Sequence, residues 1–288
     1  MEGKTESNEV LYSPSLWCKR MHPDTVVNKH IEIVQFISEQ IKKSSYRVTA
    51  NIRYGPGDQQ LLDVYENELT SLDYTFVYIH GGYWQDLNKD ISAYCVEPLV
   101  NAGIRVVIPG YDLAPKVTLC NIVEEIYQLL SYLKDCLKYK NIWLGGHSAG
   151  AHLAASMIHP ELIESIGVKG FILISGVFDL NPLLETSINK ALRLNKKTCL
   201  QLSPLNNLHG LDFTHIMTQI CVKVLVVYAE NDSPAFHFQS KQLAKLLDKL
   251  GLEVIEERIN GVDHFDIVEN LSNKDYSLTK TIINFILN

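Results

Sequence analysis

The chain has 288 residues, 46% of them hydrophobic and 20% charged, a composition that excludes a disordered or collagen-like protein. Its 26 Lys and Arg against 33 Asp and Glu give a formal net charge of -7, which leaves no basic field to hold a nucleic-acid backbone. No apolar run approaches the roughly 20 residues that a membrane helix needs, so neither nucleic acid nor membrane is expected as a partner.

The opening MEGKTESNEV is polar and acidic, where a secretory leader needs a cationic start and an apolar stretch; a cytoplasmic protein is expected. Residues 28–43 place Ile31, Val34, Ile37 and Ile41 on one helical face. The β-rich segments 46–55 and 61–66 flank the turn GPGD, as an antiparallel hairpin does. From residue 74 short apolar runs alternate with helical patterns: YTFVYIH, ISAYCVEPLVNAG, IRVVIPGY, NIVEEIYQLLSYLKDCLKYK, NIWLGG. The alternation resumes with VKGFILISG, CVKVLVVYAE and LEVIEERI, a helical QSKQLAKLLDKLG lying between the last two. Apolar strands separated by helices indicate a mostly parallel sheet of about eight strands with helices on both faces, an α/β fold.

Residues 177–220 interrupt the rhythm, being rich in Leu, Asn, Ser and Pro without a clear strand. They read as a short cap inserted into one domain spanning residues 1–288, placed as a lid over the carboxyl ends of the strands. The six cysteines, Cys18, Cys95, Cys120, Cys136, Cys199 and Cys221, show no CxxC pairing. They are expected as buried thiols, and no metal site or cofactor is expected.

The chemistry-bearing motif is GHSAG at 146–150, between the strand NIWLGG and the small-residue helix AHLAASMI. A serine on such a strand–turn–helix corner projects from the sheet edge, and the flanking glycines keep bulk from neighbouring backbone, so Ser148 is the expected nucleophile. HGGYW at 80–84 directly follows the strand YTFVYI. The loop after this strand commonly supplies backbone N–H donors to an oxyanion, so Gly82 and Tyr83, with Ala149 after the nucleophile, form the expected oxyanion hole.

The serine needs a base, and the base a carboxylate, in the order Ser, acid, His. His264 in NGVDHFD follows the last strand and is the expected base. His147, His152 and His159 belong to the nucleophile's strand–helix unit and read as packing or surface residues, while His209 and His215 fall in the cap. Asp232 in AENDSP is the expected acid, with Asp179 in ISGVFDL as the alternative. Asp263 and Asp266 read as solvated. His80, Gly81 and Trp84 are candidate substrate contacts, Trp84 equally a packing residue under the loop; Arg193 reads as a solvated helix face.

HGGYW, YDLAP at 111–115, GHSAGAH, AENDSP and DHFD together resemble the α/β-hydrolase fold near the hormone-sensitive-lipase-like esterases. With YSPSLW at 12–17, the chain resembles more closely the kynurenine formamidases, or arylformamidases, whose pattern is HGGxW. Tyr83 stands where the esterases commonly have glycine, a departure that fits the formamidase pattern. Carried over by position, the family's nucleophile, acid and base fall on Ser148, Asp232 and His264. The resemblance implies a serine hydrolase that converts N-formyl-L-kynurenine to L-kynurenine and formate in tryptophan catabolism through a formyl-enzyme, without metal or cofactor. A carboxylesterase of small aryl or acyl esters is the alternative, and a non-catalytic binding module or a lipid-surface lipase stands further off. Assembly as a homodimer is left open.

Overall fold

The computed structural model describes residues 6–71, 74–218 and 221–288. Residues 1–5 of the polar opening and 219–220 at the end of the insertion lie outside the described residues. Eight strands form one sheet: β1 (Arg47–Arg53), β2 (Leu61–Glu66), β3 (Thr75–Ile79), β4 (Arg105–Pro109), β5 (Ile142–His147), β6 (Val168–Ile174), β7 (Lys223–Ala229) and β8 (Glu253–Ile259). Their order is β1-β2-β4-β3-β5-β6-β7-β8. The hairpin β1–β2 and the pair β2–β4 are antiparallel and every other pairing is parallel.

The apolar strands are buried on both faces, as a parallel sheet under two helical layers requires. In β3, Val77 and Ile79 face one core with Leu144 and Leu173, while Phe76 and Tyr78 face the other with Trp143 and Ile172. The first long helix runs over Pro23–Lys43, longer than the apolar periodicity indicates, because His22 caps it and Pro23 begins it. Its buried ridge is Val26, His30, Val34, Ser38 and Ile41, so two polar residues share a face that a count of apolar positions assigns to Ile31 and Ile37. Segment 91–103 is only partly α-helical, its α-helix confined to Val96–Asn101 and preceded by the 3-10 turns Lys89–Ile91 and Ala93–Cys95. Thr118 and Asn121 form a capping box that opens the helix Leu119–Asp135.

The insertion folds into short helical pieces, from the 3-10 turn Asn181–Glu185 to the helix Thr214–Met217. Its Leu180, Leu183, Leu192, Cys199 and Phe213 join the same core as β3 and β5. Built into the body of the domain in this way, it contributes, among the described residues, no lining residue to the cavity at Ser148, contrary to its expected role as a lid. The cysteines are all free, but Cys120, Cys136 and Cys221 are exposed and only Cys18, Cys95 and Cys199 are buried. Cys120 falls outside the buried stripe of the helix Leu119–Asp135, and Cys136 caps its end, which explains the departure for those two. Among the described residues no helix is long and apolar enough to cross a membrane.

A buried ion pair ties the loop after β3 to the antiparallel edge. Lys89 Nζ lies 2.9 and 3.1 Å from the two carboxylate oxygens of Asp63 on β2, and both residues are almost fully buried. Asp63 also accepts the amide of Asn51 at 2.8 Å, at the register shift between Thr49 and Ile52. Removing one member leaves the other charge buried and unpaired, which costs about 3–5 kcal/mol. Lys89→Met is therefore expected to lower stability by about that amount in urea unfolding, and a loss below about 1 kcal/mol would contradict this account of the loop's anchor.

Candidate active site

Ser148 occupies the turn between β5 and the helix Ala149–Ala155, with φ 54° and ψ -117°. Such a conformation costs a residue bearing Cβ on the order of 1–3 kcal/mol and persists only where packing enforces it. The enforcing contact is with the end of β3. A Cβ added at Gly146 would lie 2.6 Å from the Ile79 carbonyl oxygen, and one added at Gly150 would fall on the same carbonyl. The two glycines of GHSAG thus let the turn close against β3, while the Ser148 amide donates to Ile174 at the end of β6, 2.8 Å away.

Beside this turn lies the loop after β3. Gly82, Tyr83 and Trp84 have consecutive positive φ values of 97°, 48° and 59°, and the amides of Gln85 and Asp86 both donate to the Gly82 carbonyl at 2.9 Å. Gly82 is required here, since a Cβ would collide with the Asp86 carbonyl. The Gly82 and Tyr83 amides have no acceptor among the described residues, and Ala149 is at the first position of its helix, where amides lack intrahelical partners. The Tyr83 hydroxyl donates to the Tyr12 carbonyl at 2.7 Å. This contact gives the tyrosine a structural use where the generic esterase pattern has glycine.

His264 Nδ1 is 2.7 Å from Asp232 Oδ1. A carboxylate only accepts, so Nδ1 carries the proton and Nε2 is the ring's free basic nitrogen. Asp232 is buried, and its other oxygen accepts Ser175 Oγ at 2.6 Å and the Ala229 amide at 2.8 Å. Asp179 is turned away, accepting the Asn181 amide and side chain; the carboxylate that meets His264 comes from the loop after β7. Ser175, held at φ 47° after β6, had no signal in the sequence beyond a polar residue at a strand end.

Ser148, His264, Gly82 and Tyr83 line one cavity of about 450 Å³. His147 lines it as well, its ring 4.5 Å from that of His264; burial, and next the charge of His264, hold its imidazole well below the usual range. His80 and Trp84, candidate substrate contacts, are not in its wall. His80 stacks on Tyr111 at 4.3 Å and bonds the Gly81 carbonyl, and burial pushes it down to about 4. Trp84 is fully buried beneath the loop, edge-on to His152 at 4.9 Å. Gly81 backs onto Ser148, leaving only 3.3 Å between an added Cβ and Ser148 Cβ. These three shape the loop from behind.

The facing wall comes from the amino-terminal segment: Pro14, Ser15, Val27, Asn28, His30 and Ile31. Tyr12 anchors this segment, its hydroxyl accepting Gln239 Nε2 at 2.6 Å, and the Ser233 hydroxyl donates to the Leu11 carbonyl. A second tie reaches the loop carrying His264. Asp263 is 3% exposed rather than solvated. Its Oδ1 accepts the amides of Phe265 and Asp266, which closes the turn around His264, and its Oδ2 accepts Arg20 Nε at 2.8 Å and Cys18 Sγ at 2.9 Å. Arg20 Nη2 also bonds Glu269 Oε1 at 2.9 Å, an oxygen shared with His30 Nδ1. Asp266 is half-enclosed too, its Oδ1 accepting the Asp263 amide, and burial pushes its carboxyl up to about 6. Among the described residues no group of three or more His, Cys, Asp or Glu is arranged to hold a metal ion.

Comparison with known proteins places these features in a family. A family model described as alpha/beta hydrolase fold matches residues 76–266. A kynurenine formamidase of Danio rerio is 36% identical over 283 residues, covering 96% of this chain and 95% of that protein. One of Drosophila melanogaster is 32% identical over 289 residues, covering 95% of each. Among solved structures, the hyperthermophilic esterase of the archaeon Pyrobaculum calidifontis superposes with a TM-score of 0.67 at 22% identity, covering 91% of each chain.

Burial works to raise the Asp263 carboxyl, but the bonds from Cys18, Arg20 and two amides outweigh it and hold the group below its ordinary value. A depressed carboxyl stabilises the fold above its unfolded pKa, and that contribution is lost as pH falls through the folded value. Arg20→Gln is expected to cost about 1–3 kcal/mol at pH 7. The deficit should narrow below about pH 4, because the wild type then loses what the variant already lacks. Urea unfolding of both proteins at the two pH values checks this; a deficit unchanged by pH would contradict it.

Proposed function

The chain belongs to the kynurenine formamidase family of α/β hydrolases, and from that membership we propose that it hydrolyses N-formyl-L-kynurenine to L-kynurenine and formate, a step of tryptophan catabolism. The observation that carries the reading is a single cavity holding Ser148, the carboxylate-supported His264 and two unpaired loop amides, in a chain related over nearly its whole length to formamidases.

In this reading Ser148 Oγ attacks the formyl carbon while His264 Nε2 takes its proton. The oxyanion forms against the amides of Gly82, Tyr83 and Ala149. The C–N bond then breaks, His264 returns the proton to the nitrogen, and L-kynurenine leaves, with the formyl group held as an ester of Ser148. Water, deprotonated by His264, adds to that ester, formate departs and Ser148 regains its proton. Asp232 keeps the histidine in the tautomer that both steps need. The leaving nitrogen shares its lone pair with the aromatic ring, so an arylamine departs more readily than an alkylamine, and an esterase-like site suffices for this amide. Six free thiols suit a reducing, cytosolic setting.

The test is kcat/KM on N-formyl-L-kynurenine beside p-nitrophenyl acetate. A strong preference for the formamide is expected; rapid ester cleavage with negligible formamide turnover would make the protein a carboxylesterase instead. Ser148→Ala should lower kcat at least about 10³-fold with the fold intact. Retained turnover in that variant would refute the nucleophile assignment.

A further inference from the structure

One wall of the cavity carries His30, whose ring pairs with Glu269 outside the lining and which the proposed chemistry does not use. His30 is 4% exposed and Glu269 6% exposed, with His30 Nδ1 2.9 Å from Glu269 Oε1. Arg20 bonds the same oxygen, so Glu269 Oε1 accepts from both side chains. With Nδ1 directed at Glu269, Nε2 is the ring nitrogen left to meet a ligand. His30 Nε2 has no partner among the described residues, while the residue itself lines the cavity.

The other ionisable side chain away from the Ser148 end is Asp86. Its backbone is fixed four residues after Gly82 by the turn just described, and it lines the cavity with no ion-pair partner among the described residues. No Lys or Arg is among the lining residues, whereas Val27, Ile31 and Leu87 offer an apolar bed for a ring. Beside the uncharged polar side chains of Ser15 and Asn28, the wall thus presents one carboxylate and no Lys or Arg.

Resting on the formamidase reading, we infer that His30 and Asp86 form a subsite for the ammonium group of the substrate, and that its carboxylate goes unmatched. The preferred substrate class is then aryl formamides carrying a primary ammonium on the side chain, with or without a carboxylate beside it. Glu269 and Arg20 act as positioning residues that fix the His30 ring.

The experiment compares kcat/KM for N-formyl-L-kynurenine with two analogues, one with the carboxylate replaced by hydrogen and one with the ammonium replaced by hydrogen. Active sites are titrated with an organophosphate, so that only folded enzyme is counted. Loss of the ammonium should lower kcat/KM at least about tenfold, the size of a lost charged hydrogen bond, and loss of the carboxylate by less than about threefold. In Asp86→Asn and in His30→Ala the ratio between ammonium-bearing and ammonium-free substrates should fall toward unity. The reverse order, with the carboxylate-free analogue the poorer, would overturn the inference by showing that the ring donates to the carboxylate. So would variants that slow both substrates in equal proportion, since that marks a structural role. If no formamide is cleaved, the formamidase reading itself fails. Aryl esters with and without an ammonium-bearing side chain then decide the subsite separately, by the same ratio in wild type and variants.

Discussion

The site depends on one close approach, that of the β5 turn against the last carbonyl of β3. Only residues without Cβ fit at 146 and 150, and once they are there the chain must turn through the strained conformation that holds Ser148. The same approach brings Ser148 beside the loop after β3, whose amides at 82 and 83 are left unpaired by three successive left-handed residues. The positions of Ser148 and of the Gly82 and Tyr83 amides are therefore set by backbone packing between neighbouring parallel strands. His264 and Asp232, bonded to each other, arrive from the carboxyl ends of β8 and β7, the common edge at which ligands bind in open α/β sheets.

Around this frame the amino-terminal segment completes the cavity. It is tied to the loop after β3 through Tyr83 and Tyr12, to the helix Pro234–Lys249 through Gln239, and to the His264 turn through Arg20 and Cys18. Asp263 joins the two sides of the site, one oxygen closing the turn around His264 and the other receiving the amino-terminal segment. The shape of the cavity at Ser148 and the orientation of His264 thus share a support.

What was legible in the sequence was what local pattern determines. The strand runs, the glycines around Ser148 and the loop positions of Asp232 and His264 each have a steric or topological reason confined to a short stretch. What was hidden depends on partners distant in the chain. Asp263 reads as solvated until its partner Cys18, 245 residues away, is seen. His30 escapes a count of apolar periodicity because a polar side chain can occupy a buried ridge when Glu269 meets it. Likewise the insertion at 177–220 looked like a lid because it lacked strands, whereas its leucines are absorbed into the core and the wall of the cavity comes from the chain's beginning.

The central claim is that Ser148 forms a covalent acyl-enzyme during cleavage of the formamide. Rapid quenching of the enzyme with N-formyl-L-kynurenine, followed by mass spectrometry of its peptides, tests it directly. The account predicts a transient formyl adduct confined to the peptide containing Ser148 and absent from Ser148→Ala. Kynurenine release with no adduct in the pre-steady state and no turnover lost in the variant, or an adduct on another residue, would contradict it.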